Sequence, residues 1–566
     1  MIEYIADFET CKYDNKQRVW LWGIRKATDK IDEHTEIGTD IQTFINYIKG
    51  IRQKMPVIFF HNLKYDASYL LDHLLKNGYS YTANEPADLK EYELTTNSNF
   101  EGTIYEVAVN MSGKIMRFKD SLKLFNASEE ALATSYNLPT KKGKIDYLKP
   151  RSPEYVPTIE EIEYIKNDLF IVSYILYHFR KQGFEKYTAS SSAFNEFVKM
   201  AYPRSKTQFS YNAFHEHHHI SIEEDRILRS AYLGGYCYLN PELKGKTTKE
   251  GIVVDVNSMY AYVMYTQNMP YGKPLYTNGK PFLNNKYNIY ISKVQLSAKL
   301  KKGYFPTISN KKICLPEYGY NDYIDDTHGI IEIYLTNIDI DLIFKNYDIN
   351  YFEIIESWSF KSKRGGLFKD YIERFYTMKK EAREKRNETQ AQLAKIFLTG
   401  LYGKFGTNPM IMTTKPIIDN DVIRFSKIEH KEQDPIYLPL SIFITSYARE
   451  VLINAALNNK ERFIYCDTDS LHLTGTETPN GIKIDAFELG AWKIETTFRK
   501  ARYLNHKQYI EQETNGSLNI RCAGLSTKSK DEINFDNFVY GNEFKTITSI
   551  KTNGGIELTE RIFKLK

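Results

Sequence analysis

The sequence predicts an α/β chain of several domains, and three observations lead there. Its 566 residues exceed what one hydrophobic core usually serves. The first part alternates short apolar runs, at residues 4–6 and 57–60, with helical stretches, as an α/β unit does. From Tyr232 onward the chain reads as strands and loops. Strong apolar strands at 252–254 and 463–465 bracket a helical stretch at 371–401. With 42% hydrophobic and 26% charged residues, the composition is that of a folded soluble protein. No internal repeat or low-complexity linker is evident.

One helix is well marked. Thr158 is placed to cap it, with Glu161 three residues on and Pro157 just before, which is a capping box. Ile162, Ile165, Leu169, Val172, Leu176 and Phe179 then recur at three- and four-residue steps, giving one apolar face. The periodicity lapses around residues 186–192, where the first domain boundary is expected. Within 371–401 lie the cations Lys379, Lys380, Arg383, Lys385 and Arg386, then Lys395. Residues 411–418 and 422–428 alternate polar and apolar around Asp419-Asn420-Asp421, good turn chemistry for a β-hairpin. Pro416 suits an edge strand, so this hairpin is expected to project from the body.

The formal charge of +5, from 76 basic and 71 acidic residues, hints only weakly at a polyanionic partner. The distribution of the two signs says more, since a metal-dependent nucleic-acid enzyme needs acidic pockets inside a basic channel. Cys11, Cys237, Cys314, Cys466 and Cys522 lie far apart, so neither a zinc site nor a disulfide framework is expected, and a reducing cytosol fits. The acidic start lacks the layout of a signal peptide. The apolar run 436–448 contains Pro439 and reads as too short to span a bilayer.

Two constellations of acids carry the chemistry. In DFET, Asp7 and Glu9 are two apart on a strand and share a face. Asp66, in FFHNLKYD, is expected at a strand end. Tyr164 and Asp168 are four apart on the capped helix, hence on one side. Two-metal hydrolysis of a phosphodiester needs such convergent carboxylates and a group that orients water, for which Tyr164 is the candidate. In the second set, GIVVDVNSMY delivers Asp255 and Tyr260, while RFIYCDTDSLHL reads as a hairpin with Asp467 and Asp469 at its turn. Acids in apolar surroundings are costly without a compensating cation, and nucleotidyl transfer with two Mg²⁺ supplies one. In KIFLTGLYGKFG, Lys395, Thr399 and Tyr402 fall on one helical face, a cation and an aromatic suited to a triphosphate and a base pair.

These segments resemble the family B DNA polymerases, most closely the protein-primed enzymes of small Bacillus podophages and their relatives. DFET, HNLKYD and YIKND stand in the order of the three exonuclease segments of DnaQ-like proofreading domains. DxNSxY, LYGKFG and YCDTDS are similar to polymerase segments A, B and C, with YLGG at 232–235, TSYAR at 445–449 and KQY at 507–509 also in order. The resemblance implies a DnaQ-like (RNase H-like) 3′–5′ exonuclease followed by a right-hand palm, fingers and thumb with two insertions. Its expected boundaries are 1–185 exonuclease, 186–266 palm, and 267–365 an insertion contacting a terminal protein and DNA. Fingers at 366–409, a β-hairpin insertion at 410–432, palm again at 433–522 and thumb at 523–566 complete them.

The same resemblance implies the residue roles. Asp255 and Asp469, with Asp467 and the Val256 carbonyl, would bind two Mg²⁺, for which Mn²⁺ can substitute, as would Asp7, Glu9, Asp66 and Asp168 at the other site. Tyr164 and Lys142 would assist there. Tyr260 would exclude a 2′-hydroxyl; Lys395, with Lys379 or Arg383, would hold the triphosphate, and Thr399 and Tyr402 complete the dNTP site. Thr10, Asn62, Tyr65, Ser121, Leu122 and Tyr147 would hold the frayed single strand. Tyr232, Gly234, Gly235, Thr445, Arg449, Lys507 and Tyr509 would grip primer and template. The implied partners are DNA, dNTPs and a terminal protein, for a monomer in the cytoplasm of an infected bacterial host, with no membrane. The sequence departs from the family at Met259, Ala261 and Thr399-Gly400, where Leu, Pro and Asn-Ser are usual, and its fingers region is longer. A stand-alone nuclease would leave Asp255, Lys395, Asp467 and Asp469 idle, an RNA polymerase needs no proofreading, and a non-catalytic DNA-binding protein needs neither acid set.

Overall fold

Residues 2–98, 103–139, 143, 145–146, 149–203, 210–411, 413–428, 431–525 and 527–565 are described by the computed structural model; Lys142 and Tyr147 lie outside them. In the N-terminal unit, Glu3–Tyr13 pairs antiparallel with Lys16–Lys26 and parallel with Val57–Phe60, which pairs parallel with Lys114–Asp120. All of Val57–Phe60 is buried because helices cover both faces of this sheet. Val57 and Phe59 pack with Ile165 and Leu169, while Ile58 and Phe60 pack with Phe44 and Leu70 on the opposite face.

The helix Ile159–Lys181 starts at its capping box. Thr158 Oγ1 accepts from the Glu161 amide, and the Glu161 carboxylate accepts from the Thr158 amide. Residues 186–192 form a junction, where Thr188 caps the next helix, Ala189–Ala201.

A second sheet is built around Gly251–Val256, antiparallel to both Ser470–Thr474 and Trp492–Asn505. Phe463–Asp467 pairs with Ser470–Thr474 and with Cys237–Leu239. The apolar run expected to be short opens a helix of 21 residues, Leu438–Asn458. It is long enough to cross a bilayer, but it is mostly buried, as the core helix of this unit. Residues 267–365 form their own sheet, ordered Asn268–Asn278, Tyr347–Arg364, Tyr287–Leu300, Ile331–Thr336, over a separate core containing Val294, Leu296 and Ile343.

The stretch 371–401 is helical as expected, in two helices: Lys369–Glu384 and Glu388–Phe405 fold back on one another around Arg386, whose φ is 52°. Asn387 Oδ1 accepts from the Gln390 amide and starts the second helix, a cap that apolar periodicity does not reveal. The hairpin of Thr414–Asp419 and Val422–Lys427 forms with Asn420 and Asp421 both at positive φ, as a two-residue turn requires. It does not project freely, however. Ile423 is fully buried in the N-terminal core beside Phe60, and Thr414 hydrogen-bonds Ser98 at 2.7 Å. Its apolar face gains more from burial there than from exposure to water. The C-terminal hairpin, Glu543–Thr552 and Gly555–Lys564, reaches the same point. Val422 bridges Asn553, Lys76 Nζ donates to the Asp421 carbonyl and Asn553 Oδ1, and the Tyr69 hydroxyl donates to the Ile556 carbonyl.

Candidate active sites

The first acid centre sits on the N-terminal sheet. Strand alternation presents Asp7 and Glu9 on one face, and the helix Ile159–Lys181 lays Asp168 against them. One carboxylate oxygen from each lies within 4.8 Å of the others. Asp66 joins them from the first turn of the helix Leu63–Lys76, not from the strand end expected. Burial, with the charges of Asp7 and Glu9, holds its carboxyl well above the usual range. Its buried Oδ1 has no hydrogen-bond partner among the described residues. Crowded buried carboxylates of this kind fit a hard divalent cation, which would relieve their repulsion. Tyr164 is buried one turn before Asp168.

Around this centre, Thr10 Oγ1 and the Tyr65 hydroxyl share a 2.6 Å hydrogen bond. Asn62 is left-handed, with φ 73°, and its amide and that of Leu122 both donate to Asp120 Oδ1. Asp120 thus shapes this wall, a part not foreseen from the sequence. The Ser121 side chain is fully buried, its hydroxyl donating to the Phe60 carbonyl and touching His61, so it supports the wall while Leu122 is partly open.

The second centre lies where Gly251–Val256 ends. Asp255 stands opposite Ser470 on one neighbouring strand and opposite Lys493 on the other. Thr468, at φ 60°, makes the turn between Asp467 and Asp469; its amide donates to the Tyr236 carbonyl, and the Asp469 carbonyl accepts from the Val256 amide at 2.9 Å. Burial, then Asp255 and Asp467, push the Asp469 carboxyl up to about 7, with Lys493 opposing. Lys493 Nζ lies 2.8 Å from Asp255 Oδ1, and Lys507 Nζ 3.5 Å from Asp467 Oδ2. A Cβ on Gly235 would lie 2.7 Å from Thr468 Oγ1, so only glycine lets this loop close on the turn, while Gly234 is open.

Facing the acids, the rings of Tyr260 and Tyr402 stack 3.9 Å apart. Thr399, one turn from Lys395, donates back to the Lys395 carbonyl. A Cβ on Gly400 would meet the backbone of Ala189 and Ser190 at 3.4–3.6 Å, ordinary contact distances. Lys379 Nζ donates to Ser258 Oγ at 3.2 Å; burial and the charges of Arg383, Lys395 and Lys493 bring it down to about 8. The fold-back of the two helices therefore gathers Lys379, Arg383 and Lys395 into one bank of cations.

Like Ser121, two residues expected to grip primer and template lie inside. Thr445 is 1% exposed and donates to the Ser441 carbonyl. Arg449 is 4% exposed, held bidentately by Asp339 of the 267–365 insertion at 2.8 and 2.9 Å, and donates to the carbonyls of Leu233 and Gly234. Both belong to the core helix, where Arg449 positions the 232–235 loop, with partly buried Tyr232 at its start, and Thr445 bonds only its own helix among the described residues. Lys507 is exposed, and Tyr509 packs on Tyr465 and Tyr503 above a buried His472–Glu511 pair. Asn257, the asparagine of DxNSxY, donates to the carbonyls of Asp485 and Glu488. Lys493 carries no sequence signal at all.

Two acid centres, one facing a bank of cations, define a protein built for divalent cations and polyanionic substrates. Residues 51–155 and 148–486 match the family described as DNA polymerase type B, organellar and viral. The DNA polymerases of Bacillus phage M2 and Bacillus phage phi29 are 34% and 33% identical to it, covering 100% of this chain and 99% of their own. That of Streptococcus phage Cp-1 is 33% identical, with 98% of its length covered. Phi29 DNA polymerase complexed with primer-template DNA matches with a TM-score of 0.90 at 32% identity, over 100% of both chains. The chain belongs to the organellar and viral type B DNA polymerases and, along its whole length, to the phi29-like phage group.

Proposed function

We propose that this chain is a replicative DNA-directed DNA polymerase with its own 3′–5′ proofreading exonuclease, primed by a terminal protein, processive and strand-displacing. The observation that carries this reading is the pair of acid centres on two separate sheets of one chain. Residues 1–185 are the exonuclease; 186–266 and 433–522 the palm; 366–409 the fingers; 523–566 the thumb. The insertion at 267–365, which exposes Tyr276, Phe282 and Leu283, would receive the terminal protein. The relatives matched along the whole chain at 33–34% identity are phage proteins, which fits a monomer working in the cytoplasm of an infected bacterial host.

At the palm, Asp255, Asp469, the auxiliary Asp467 and the Val256 carbonyl would hold Mg²⁺; at the exonuclease, Asp7, Glu9, Asp66 and Asp168 would. Bound there, the cations supply an activated oxygen nucleophile and charge on the phosphate oxygens. Lys379, Arg383 and Lys395 grip the triphosphate, while Tyr402 packs on the nascent base pair and Tyr260 lies under the sugar. In the exonuclease, Tyr164 orients the attacking water, assisted by Lys142, and Thr10, Asn62, Tyr65, Leu122 and Tyr147 line the path of the strand. The test is dNTP incorporation on a primed template with Mg²⁺, with and without a terminal protein. No extension of a DNA primer by the full chain would refute the reading.

Tyr260→Val should raise ribonucleotide incorporation roughly tenfold to a hundredfold, since a smaller side chain leaves room for the 2′-hydroxyl. Single-nucleotide extension with dNTP and rNTP measures it, and unchanged discrimination would remove Tyr260 from this role.

The titrations set a pH dependence. In the metal-free protein Asp469 is raised from 3.8 to about 7, so it takes up a proton on folding between those values. The metal-free fold therefore loses stability as pH rises from 3.8 to about 7. Mg²⁺ needs the carboxylate, so its affinity should fall about tenfold per pH unit below 7, with proton release on binding. Lys379, lowered to about 8, should give kcat/KM for the nucleotide an alkaline limb that Lys379→Arg removes. Calorimetry in two buffers and a pH–rate profile check both.

The contacts of the hairpin Thr414–Asp419 and Val422–Lys427 with the C-terminal hairpin and Lys76 support processivity, because two joined hairpins could close around DNA. A closed ring holds DNA and wedges the downstream duplex apart, against about 1.4 kcal/mol of stacking per step. Deleting residues 412–428 should keep short, distributive synthesis and abolish long products and synthesis through duplex. Equal product length with a DNA trap on a nicked circle would exclude this role.

A further inference from the structure

Among the described residues, two lysines form ion pairs with the second acid centre, and of these Lys493 belongs to none of the motifs. It stands on Trp492–Asn505, directly opposite Asp255, so the two side chains share a face of the sheet. Its ammonium lies 2.8 Å from Asp255 Oδ1, while its side chain remains 41% exposed against 18% for the aspartate. Its charge is felt by both Asp469 and Lys379, so it lies within electrostatic reach of the acids and of the cations of the helical pair.

A divalent cation and an ammonium cannot share one carboxylate oxygen without strong repulsion. Loading of the site therefore displaces Lys493, whose flexible stem lets it move while its backbone stays in the sheet. A triphosphate gathered by Lys379, Arg383 and Lys395 would offer the displaced ammonium an anion.

We propose that Lys493 is a two-position cation: it neutralises Asp255 in the empty site and joins the fingers cations on the triphosphate when metal and nucleotide arrive. Its distinction is location. Lys379 and Lys395 ride on the helical pair, whereas Lys493 is anchored in the sheet beside Asp255 and holds phosphate whatever those helices do. The inference rests on the assignment of Asp255 and Asp469 as metal ligands.

The test uses the full chain carrying Asp7→Ala and Asp66→Ala, to leave only this centre, with Mn²⁺ binding to the nucleotide-free protein read by electron paramagnetic resonance. Lys493→Met should bind Mn²⁺ several-fold more tightly, because the internal competitor is gone. In primer extension, its KM for dNTP should rise about tenfold or more, the loss of a charge-assisted hydrogen bond, with kcat nearly unchanged. Lys493→Arg should restore KM. An unchanged KM in Lys493→Met overturns the inference, whatever Mn²⁺ does, as does weaker Mn²⁺ binding. Asp255→Asn separates the two levels: if it leaves Mn²⁺ binding intact, the ligand assignment itself fails. If it abolishes binding while Lys493→Met alters neither reading, only the part given to Lys493 falls.

Discussion

Asp255→Ala and Asp469→Ala should each abolish primer extension while degradation of single-stranded DNA continues. Asp255 ends a strand whose neighbours are both antiparallel partners, and the Asp467–Asp469 turn is tied to it through the Val256 amide. Removing either acid leaves the fold's hydrogen bonds in place but deletes a charge that localises metal against the phosphate. Metal stabilisation of the transition state amounts to several kcal/mol, so the expected loss is roughly a thousandfold or more in rate. The loss of Asp255 also strands Lys493 without its anion, and Asp469→Asn is the milder companion for a stability control. Loss of both activities in a folded variant would count against two separate centres.

The converse pair should behave oppositely. Asp7→Ala combined with Asp66→Ala should remove nuclease activity by a similar factor and keep extension, with more misincorporated nucleotides surviving. Asp66 is buried against like charges, so its replacement relieves a cost, and the metal-free double variant should melt no lower than the parent. Nuclease rates on a labelled single strand, and mismatch extension on a primed template, read the two arms. An undiminished nuclease would show that the hydrolytic site lies elsewhere.

Much of both centres was legible in the sequence because its signals are local. Two-residue spacing put Asp7 and Glu9 on one face, four-residue spacing put Tyr164 above Asp168, and Thr158 with Glu161 announced the helix start. Asn420 and Asp421 announced the hairpin turn. Each of these depends on a few successive residues. What the tertiary structure alone decided is which elements meet. The register of Gly251–Val256 against Trp492–Asn505 brought Lys493 to Asp255, and the break at Arg386 brought Lys379 and Arg383 to Lys395. Packing of the core helix took Arg449 from the surface to Asp339, and burial of Ile423 docked the hairpin expected to stand free. Periodicity reports how a side chain faces within its own strand or helix; it carries no information about the partner across a long loop, which is chosen by burial and register over the whole chain.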